Sequence, residues 1–243
     1  MNVTSLSVLI PLLALAACGG GAGRATNPGS GPAYVFVTPA LNSTTRYSET
    51  VVDNANNTID LGFTLTVTAV HPDGSYDVLS EDPNHNTVIV NGTNYSIVTG
   101  TETRNSSGEE TTFVFTAANG NLVTCISSPH GGGPVFPIRV GETWTLDYTY
   151  ACGTASPIAY TQRGSVVGVE SVTVPAGTFS ALKLESTITW TDLAGTTRTQ
   201  TVTNWRDVAT LMSVKEDISI VYSGTLPTAG YAVSRETLLQ ATS

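Results

Sequence analysis

The chain has 243 residues, a formal net charge of −9 and 12% charged residues, about half the ~25% usual for soluble domains. Its two lysines, Lys183 and Lys215, are too few to build the clustered positive surface that nucleic acid phosphates require. Hydrophobic residues make up 40%, enough for one sizeable core or two small ones. The 39 Thr, 23 Gly and 12 Pro exclude collagen, coiled coil and helical bundle, and favour strands joined by tight turns.

Residues 1–17 contain no Asp, Glu, Lys or Arg, and 6–17 is an apolar run broken only by Ser7 and Pro11. Such a run is shorter than the ~20 residues that span a bilayer and suits the core of a signal peptide. It ends in Leu15-Ala16-Ala17-Cys18-Gly19, which resembles the lipobox of bacterial lipoproteins. That resemblance implies cleavage before Cys18, a diacylglycerol group on its thiol and a further acyl chain on the freed amine. Two or three chains anchor a protein stably where one does not. Gly19, in place of an Asp, resembles lipoproteins passed on to the outer membrane of a Gram-negative cell. A basic residue near Met1, usual in such leaders, is missing. Residues 18–33 are rich in Gly and read as a flexible tether with an r.m.s. reach of roughly 20 Å.

From residue 34 to 243 the pattern is a single extended body of strands. Phe63, Leu65 and Val67 alternate with threonines, and runs at 47–52, 75–79, 87–90, 95–99, 111–116 and 122–125 are separated by turn signals. Those signals are Pro72-Asp73-Gly74, Asn91-Gly92, Ser107-Gly108 and Asn119-Gly120. A Gly/Pro stretch at 130–137 then divides the strands into two sets, with two lobes as an alternative to one domain. Beyond it, Trp144, Leu146, Tyr148 and Tyr150 share one strand face. Leu182, Leu184, Ile188 and Trp190 share another, and threonines fill the opposite faces. Runs at 159–174, 196–205, 212–221 and 231–239 complete about twelve to fourteen antiparallel strands. The expected fold is all-β: an antiparallel β-sandwich or a partly open barrel.

With Cys18 acylated, Cys125 and Cys152 remain as an even pair in an oxidising compartment, which predicts a disulfide. Residues 169–185, around Val174-Pro175-Ala176-Gly177-Thr178-Phe179, predict a hairpin in which Pro175 sets a turn and Gly177 takes a positive φ. This hairpin, with the upstream Pro137-Ile138-Arg139-Val140-Gly141-Glu142-Thr143-Trp144 and, more loosely, 204–215, resembles exported bacterial proteins, many of them lipoproteins, that carry domains of unknown function. The resemblance covers roughly residues 134–220 and implies an all-β exported domain without assigning an activity.

The sequence carries few motifs of catalysis or metal binding. There is no Gly-x-Ser-x-Gly, and His71, His85 and His130 sit in turn-like segments where exposed loop histidines are expected. No Cys/His cluster has zinc spacing. The Asp/Asn-rich turns at 53–60 and 81–86 lack the glycine and the distal Glu of a calcium loop, so no metal or cofactor is expected. Glu170 and Glu185 lie on the two hairpin arms and are expected to face each other or Lys183 as solvated cross-strand groups. Trp144, Trp190 and Trp205 are in phase with aliphatic residues, which favours core placement, and they are also the candidates for lining a ligand groove. The chain therefore reads as a lipoprotein of the bacterial envelope, anchored through Cys18. It would contact an envelope protein or a small apolar ligand without catalysing a reaction, the alternatives being an envelope hydrolase for glycan or peptide and a structural or adhesin-like spacer.

Overall fold

Strands that alternate threonine with larger residues pair with their sequence neighbours across short turns, and this rule builds most of the molecule. A computed structural model describes residues 29–81, 87–90, 93–96, 99–116, 120–134, 136–226 and 231–243. In chain order the strands are β1 (Ser30–Tyr34), β2 (Thr44–Asp53), β3 (Thr58–Val70), β4 (Tyr76–Glu81), β5 (Thr87–Val90), β6 (Thr93–Ser96), β7 (Thr99–Arg104) and β8 (Glu110–Thr116). They continue with β9 (Leu122–Ser128), β10 (Ile138–Val140), β11 (Thr143–Cys152), β12 (Ile158–Val174), β13 (Gly177–Thr191), β14 (Thr196–Asp207), β15 (Ser213–Gly224) and β16 (Ala232–Thr242). No helix occurs among the described residues.

Twelve of these strands form one antiparallel barrel in the order β11-β12-β13-β14-β15-β16-β2-β3-β4-β7-β8-β9, and β9 pairs back on β11 to close it. β1 pairs with β10, and β5 with β6, as separate ribbons. The barrel is closed rather than partly open. Strands on both sides of residues 130–137 belong to the same sheet, so that stretch divides them in sequence and not in space.

The alternation is clearest in β14. Thr197, Thr199, Thr201 and Thr203 face outward, while Arg198, Gln200, Val202, Asn204 and Arg206 are buried inside. Barrel width explains the polar character of that inner face. About eight strands bring interior side chains into contact, and twelve enclose a wider space. Long side chains fill it, together with a piece of backbone. Gly132, Gly133 and Pro134 are buried, the Gly133 N–H donates to Gln162 Oε1 at 2.6 Å, and Gln162 Nε2 donates to Ser186 Oγ at 3.1 Å. The Gly/Pro stretch is therefore a plug inserted from one end.

That end carries a second closure. The segment after β1 crosses the mouth: the Val37 N–H donates to the Thr210 carbonyl at 3.2 Å and the Asn42 N–H to the Val67 carbonyl at 2.9 Å. Phe36 points inward, its ring 6.3 Å from that of Tyr76 and 6.2 Å from that of Phe136. The β12–β13 hairpin turns at Pro175-Ala176, with Val174 opposite Gly177 and Gly177 at φ 135°. Its tip bends back so that the Ala176 N–H donates to the Leu239 carbonyl at 3.2 Å. Val174 and Ala181, with half-buried Phe179, pack there against Tyr47, Phe63, Val214 and Leu239.

Candidate functional site: the charged interior

Register places the buried charges. Asn204 on β14 stands opposite Glu216 on β15, Glu216 opposite Thr237 on β16, and Thr237 opposite Glu49 on β2. Four inward positions on consecutive strands thus form one polar row. Asn204 Nδ2 donates to Glu216 Oε2 at 2.9 Å and to Ser213 Oγ at 3.0 Å, and Arg206 Nε donates to Asn204 Oδ1 at 3.1 Å. Arg235 Nη1 lies 3.7 Å from Glu49 Oε2. Burial pushes the Glu216 carboxyl up to about 7, against the pull of Arg235, the Asn204 hydrogen bond and Arg206.

A second group belongs to β7 and β8. Glu102 and Arg104 both point inward, and Arg104 donates from Nε at 2.9 Å and also from Nη2 to Glu102 Oε2. Glu110 stands opposite Arg104 in register. Burial, aided by the Glu102 charge and opposed by Arg104, pushes its carboxyl up to about 8.

Next to it, Glu109 and His130 are 0% and 1% exposed. His130 Nδ1 lies 3.0 Å from Glu109 Oε2, yet the two are not aligned as a hydrogen bond. Asn105 Nδ2 donates to Glu109 Oε2 at 2.6 Å. Glu109 Oε1 and both ring nitrogens have no hydrogen-bond partner. Burial pushes Glu109 up to about 10 and His130 down to about 4. Burial thus favours the neutral form of both groups.

Among the described residues, buried positions hold the carboxyls of Glu49, Asp53, Glu102, Glu109, Glu110 and Glu216 and the guanidiniums of Arg104, Arg198, Arg206 and Arg235. Burial is tolerated where such groups pair, as Glu102 does with Arg104, or take their neutral form. This arrangement holds the side chains in place. The cavities that touch it are small: about 30 Å³ beside Gln162, Asn204, Glu216 and Arg235, and about 60 Å³ beneath Phe36, beside Tyr47, Tyr76 and Arg104. Each has room for a few water molecules.

The tryptophans are not brought together. Trp144 and Trp190 face the interior and Trp205 the outside. Trp144 lies over Gly164, its register partner, where an added Cβ would fall 2.2 Å from the indole. Trp190 belongs to a ladder of inward side chains, Tyr148–Tyr160–Trp190, with ring centroids 4.9 and 5.0 Å apart, and Arg198 follows at 5.7 Å. Trp205 stands between Lys183 and Lys215, its register partners on β13 and β15. Their amines lie 5.8 and 5.2 Å from the ring centroid. Lys183 pairs with Glu185 at 2.8 Å and Lys215 with Glu236 at 2.9 Å, while the indole N–H donates to Glu170 Oε1. Glu170 and Glu185 thus do not face each other: Glu170 stands opposite Ala181 and Glu185 opposite Ser165.

Cys125 and Cys152 form a disulfide between facing positions of β9 and β11. Cys18, His85 and the turn at 82–86 lie outside the described residues. His71, with its side chain 42% exposed, lies 3.2 Å from Asp77. His130 corrects the expectation of exposed loop histidines: the Gly/Pro stretch that follows it enters the barrel and draws it inside. The turn at 53–57 bonds itself, Asp53 Oδ1 accepting from the N–H groups of Ala55 and Asn57 at 2.8 Å each. No group of three or more potential metal ligands occurs among the described residues. No sequence motif marks the interior charges. Their signal is parity, since Glu49 is in phase with Tyr47 and Val51, and Asn204 and Arg206 with Val202.

No protein-family model matches the sequence, and no curated protein matches it. Among solved structures, the chain is similar to a candidate exported protein with a YmcC-like fold from Bacteroides fragilis, at 10% identity and TM-score 0.46, covering 87% of this chain and all of that one. It is also similar to a candidate lipoprotein from Parabacteroides distasonis, at 12% identity and TM-score 0.43, over 88% of this chain and all of that one. A third is the hypothetical lipoprotein YmcC from Escherichia coli, at 14% identity and TM-score 0.41, over 84% and 90% of the two chains.

Proposed function

We propose that the protein is a non-enzymatic lipoprotein of the bacterial cell envelope, held at the outer membrane by an acylated Cys18 and acting on an envelope protein through its outer surface. One observation carries the reading: a lipobox-like Leu15-Ala16-Ala17-Cys18 precedes a barrel filled by its own side chains. A carrier of apolar ligands needs a pocket of several hundred Å³, whereas the two cavities described above, among the described residues, measure about 30 and 60 Å³. A hydrolase needs an acid and a base within reach of substrate, whereas Glu109 and His130 are sealed behind the plug. The Cys125–Cys152 bond suits an oxidising compartment.

Mass spectrometry of the N-terminus tests the anchor. The expected product begins at an acylated Cys18 and floats with membranes, and Cys18→Ala shifts it to the aqueous fraction. An unprocessed N-terminus overturns the reading. Native mass spectrometry of the purified protein tests the choice of partner class, because a co-purifying lipid beyond the anchor would restore the carrier alternative.

A further inference from the structure

The barrel mouth crossed by the segment after β1 has an inner and an outer side. Phe36 turns inward against Tyr76. Its neighbours Val35 and Val37 turn outward, 60% and 49% exposed, followed by Leu41 at 55% and by Val70, at the end of β3, at 43%. Hydrogen bonds hold this strap across the mouth, from Thr210 on one side to Gly74 on the other, whose carbonyl accepts from Thr38 Oγ1 at 3.5 Å. The exposed aliphatics therefore sit on a fixed backbone. We infer that this end of the barrel rests on the lipid bilayer, with Val35, Val37, Leu41 and Val70 inserted at the headgroup boundary.

The inference depends on the lipid anchor proposed above, and the length of chain outside the structure selects this end. Eleven positions separate Cys18 from Gly29, and Gly29 lies against Val140 and Arg139 beside this mouth. At ~3.3 Å per residue such a segment spans at most about 36 Å. The far end also exposes apolar residues, Leu193 and Leu226 among them. Strands of twelve residues tilted about 40° put that end roughly 30 Å away. Seating it on the membrane would draw the whole leash taut along the barrel wall, whereas seating the near end leaves slack. A four-residue apolar patch binds weakly alone, but a short tether holds it at millimolar effective concentration.

The test uses the acylated full-length protein on vesicles of phosphatidylethanolamine and phosphatidylglycerol (3:1), read by flotation and amide hydrogen exchange. Expected are flotation with the vesicles and several-fold slower exchange at 35–41 than in detergent, with no change at 192–195. In vesicles of brominated lipid, Val37→Trp fluorescence is quenched and Leu193→Trp fluorescence is not. Flotation without protection at 35–41 overturns the docking while leaving the anchor intact. Failure to float overturns both. Equal protection in unacylated Cys18→Ala protein without vesicles would place a second copy of the chain on this face and overturn the membrane assignment.

Discussion

The wall around β13 and the seam between β9 and β11 are made from the same kind of threonine-rich strand, yet they are held in different ways. β13 pairs with β12 from Trp190 to Gly177 and with β14 from Thr191 to Ala181. β9 meets β11 at four positions, Thr149 to Cys152. Buried polar atoms without a hydrogen-bond partner occur beside the seam, at Glu109, His130 and Tyr150 OH, and in the wall as well, at Arg198 Nε and Asp217 Oδ1. Three junctions of the barrel, β4 with β7, β16 with β2 and β9 with β11, join strands that no short turn links, and β9–β11, separated by the plug, has the shortest ladder of the three. A covalent bond stands where the ladder is shortest.

Breaking that bond should give the largest effect. A loop of 27 residues corresponds to about 3–4 kcal/mol of chain entropy. Cys125→Ser/Cys152→Ser should therefore lower unfolding stability by that amount in urea titration. Native-state hydrogen exchange should show β9 and β11 opening well before β13. Uniform acceleration across the barrel would mean that the seam is no weaker than the wall.

The pH dependence sharpens the comparison, because the raised carboxyls of Glu109 and Glu110 lie on the seam side. A carboxyl whose folded value lies above its unfolded value near 4.5 keeps its proton in the folded state after the unfolded chain has lost it. Stability is then full below about 4.5 and falls as pH rises, until the folded value is passed. His130, lowered to about 4, works oppositely between about 4 and 6.5, where stability rises with pH. Above 6.5 the acids act alone. Glu216 adds its share up to about 7, Glu110 to about 8 and Glu109 to about 10. Each contributes at most about 1.4 kcal/mol per pH unit. The urea midpoint should fall steadily from pH 6.5 to 9, and Glu110→Gln should flatten the fall between 6.5 and 8.

In the wall, Gly164→Ala tests close packing. Its Cβ would meet the Trp144 indole at 2.2 Å, so the ring must move within a filled core. A loss of about 1–3 kcal/mol is expected, visible in thermal unfolding together with a changed near-UV signal. An unchanged melting temperature would mean that Trp144 has room to shift.

The strands and the β12–β13 hairpin were legible because their causes are local. Alternation in β14 and the Val-Pro-Ala-Gly turn depend on residues adjacent in sequence. Closure of the barrel was not legible, because it depends on β9 finding β11 across a segment that sequence alone reads as a surface loop. The same segment hid His130. The polar lumen had a local trace in Arg198, Gln200, Asn204 and Arg206, all on the Val202 parity of β14. Reading it required knowing that the strand number exceeds what aliphatic side chains can fill.

The smallest effects belong to neighbouring positions on β14, where the two faces of the wall can be compared one residue apart. Thr201 is exposed between Thr187 and Ser219, and Thr201→Val replaces a solvated hydroxyl by a methyl on a strand that favours both. Val202 is buried with Val51, Ile188 and Ile218, beside its register partner Ser186, and Val202→Thr replaces a packed methyl by a hydroxyl that must be desolvated. The inner change should cost about 1–2 kcal/mol and the outer one less than about 0.5 kcal/mol, both measured by urea titration. If Thr201→Val cost as much as Val202→Thr, the outward threonines would have to be in contact with something. The outer wall would then be an occupied interface and not the solvated skin that its hydroxyl ladder describes.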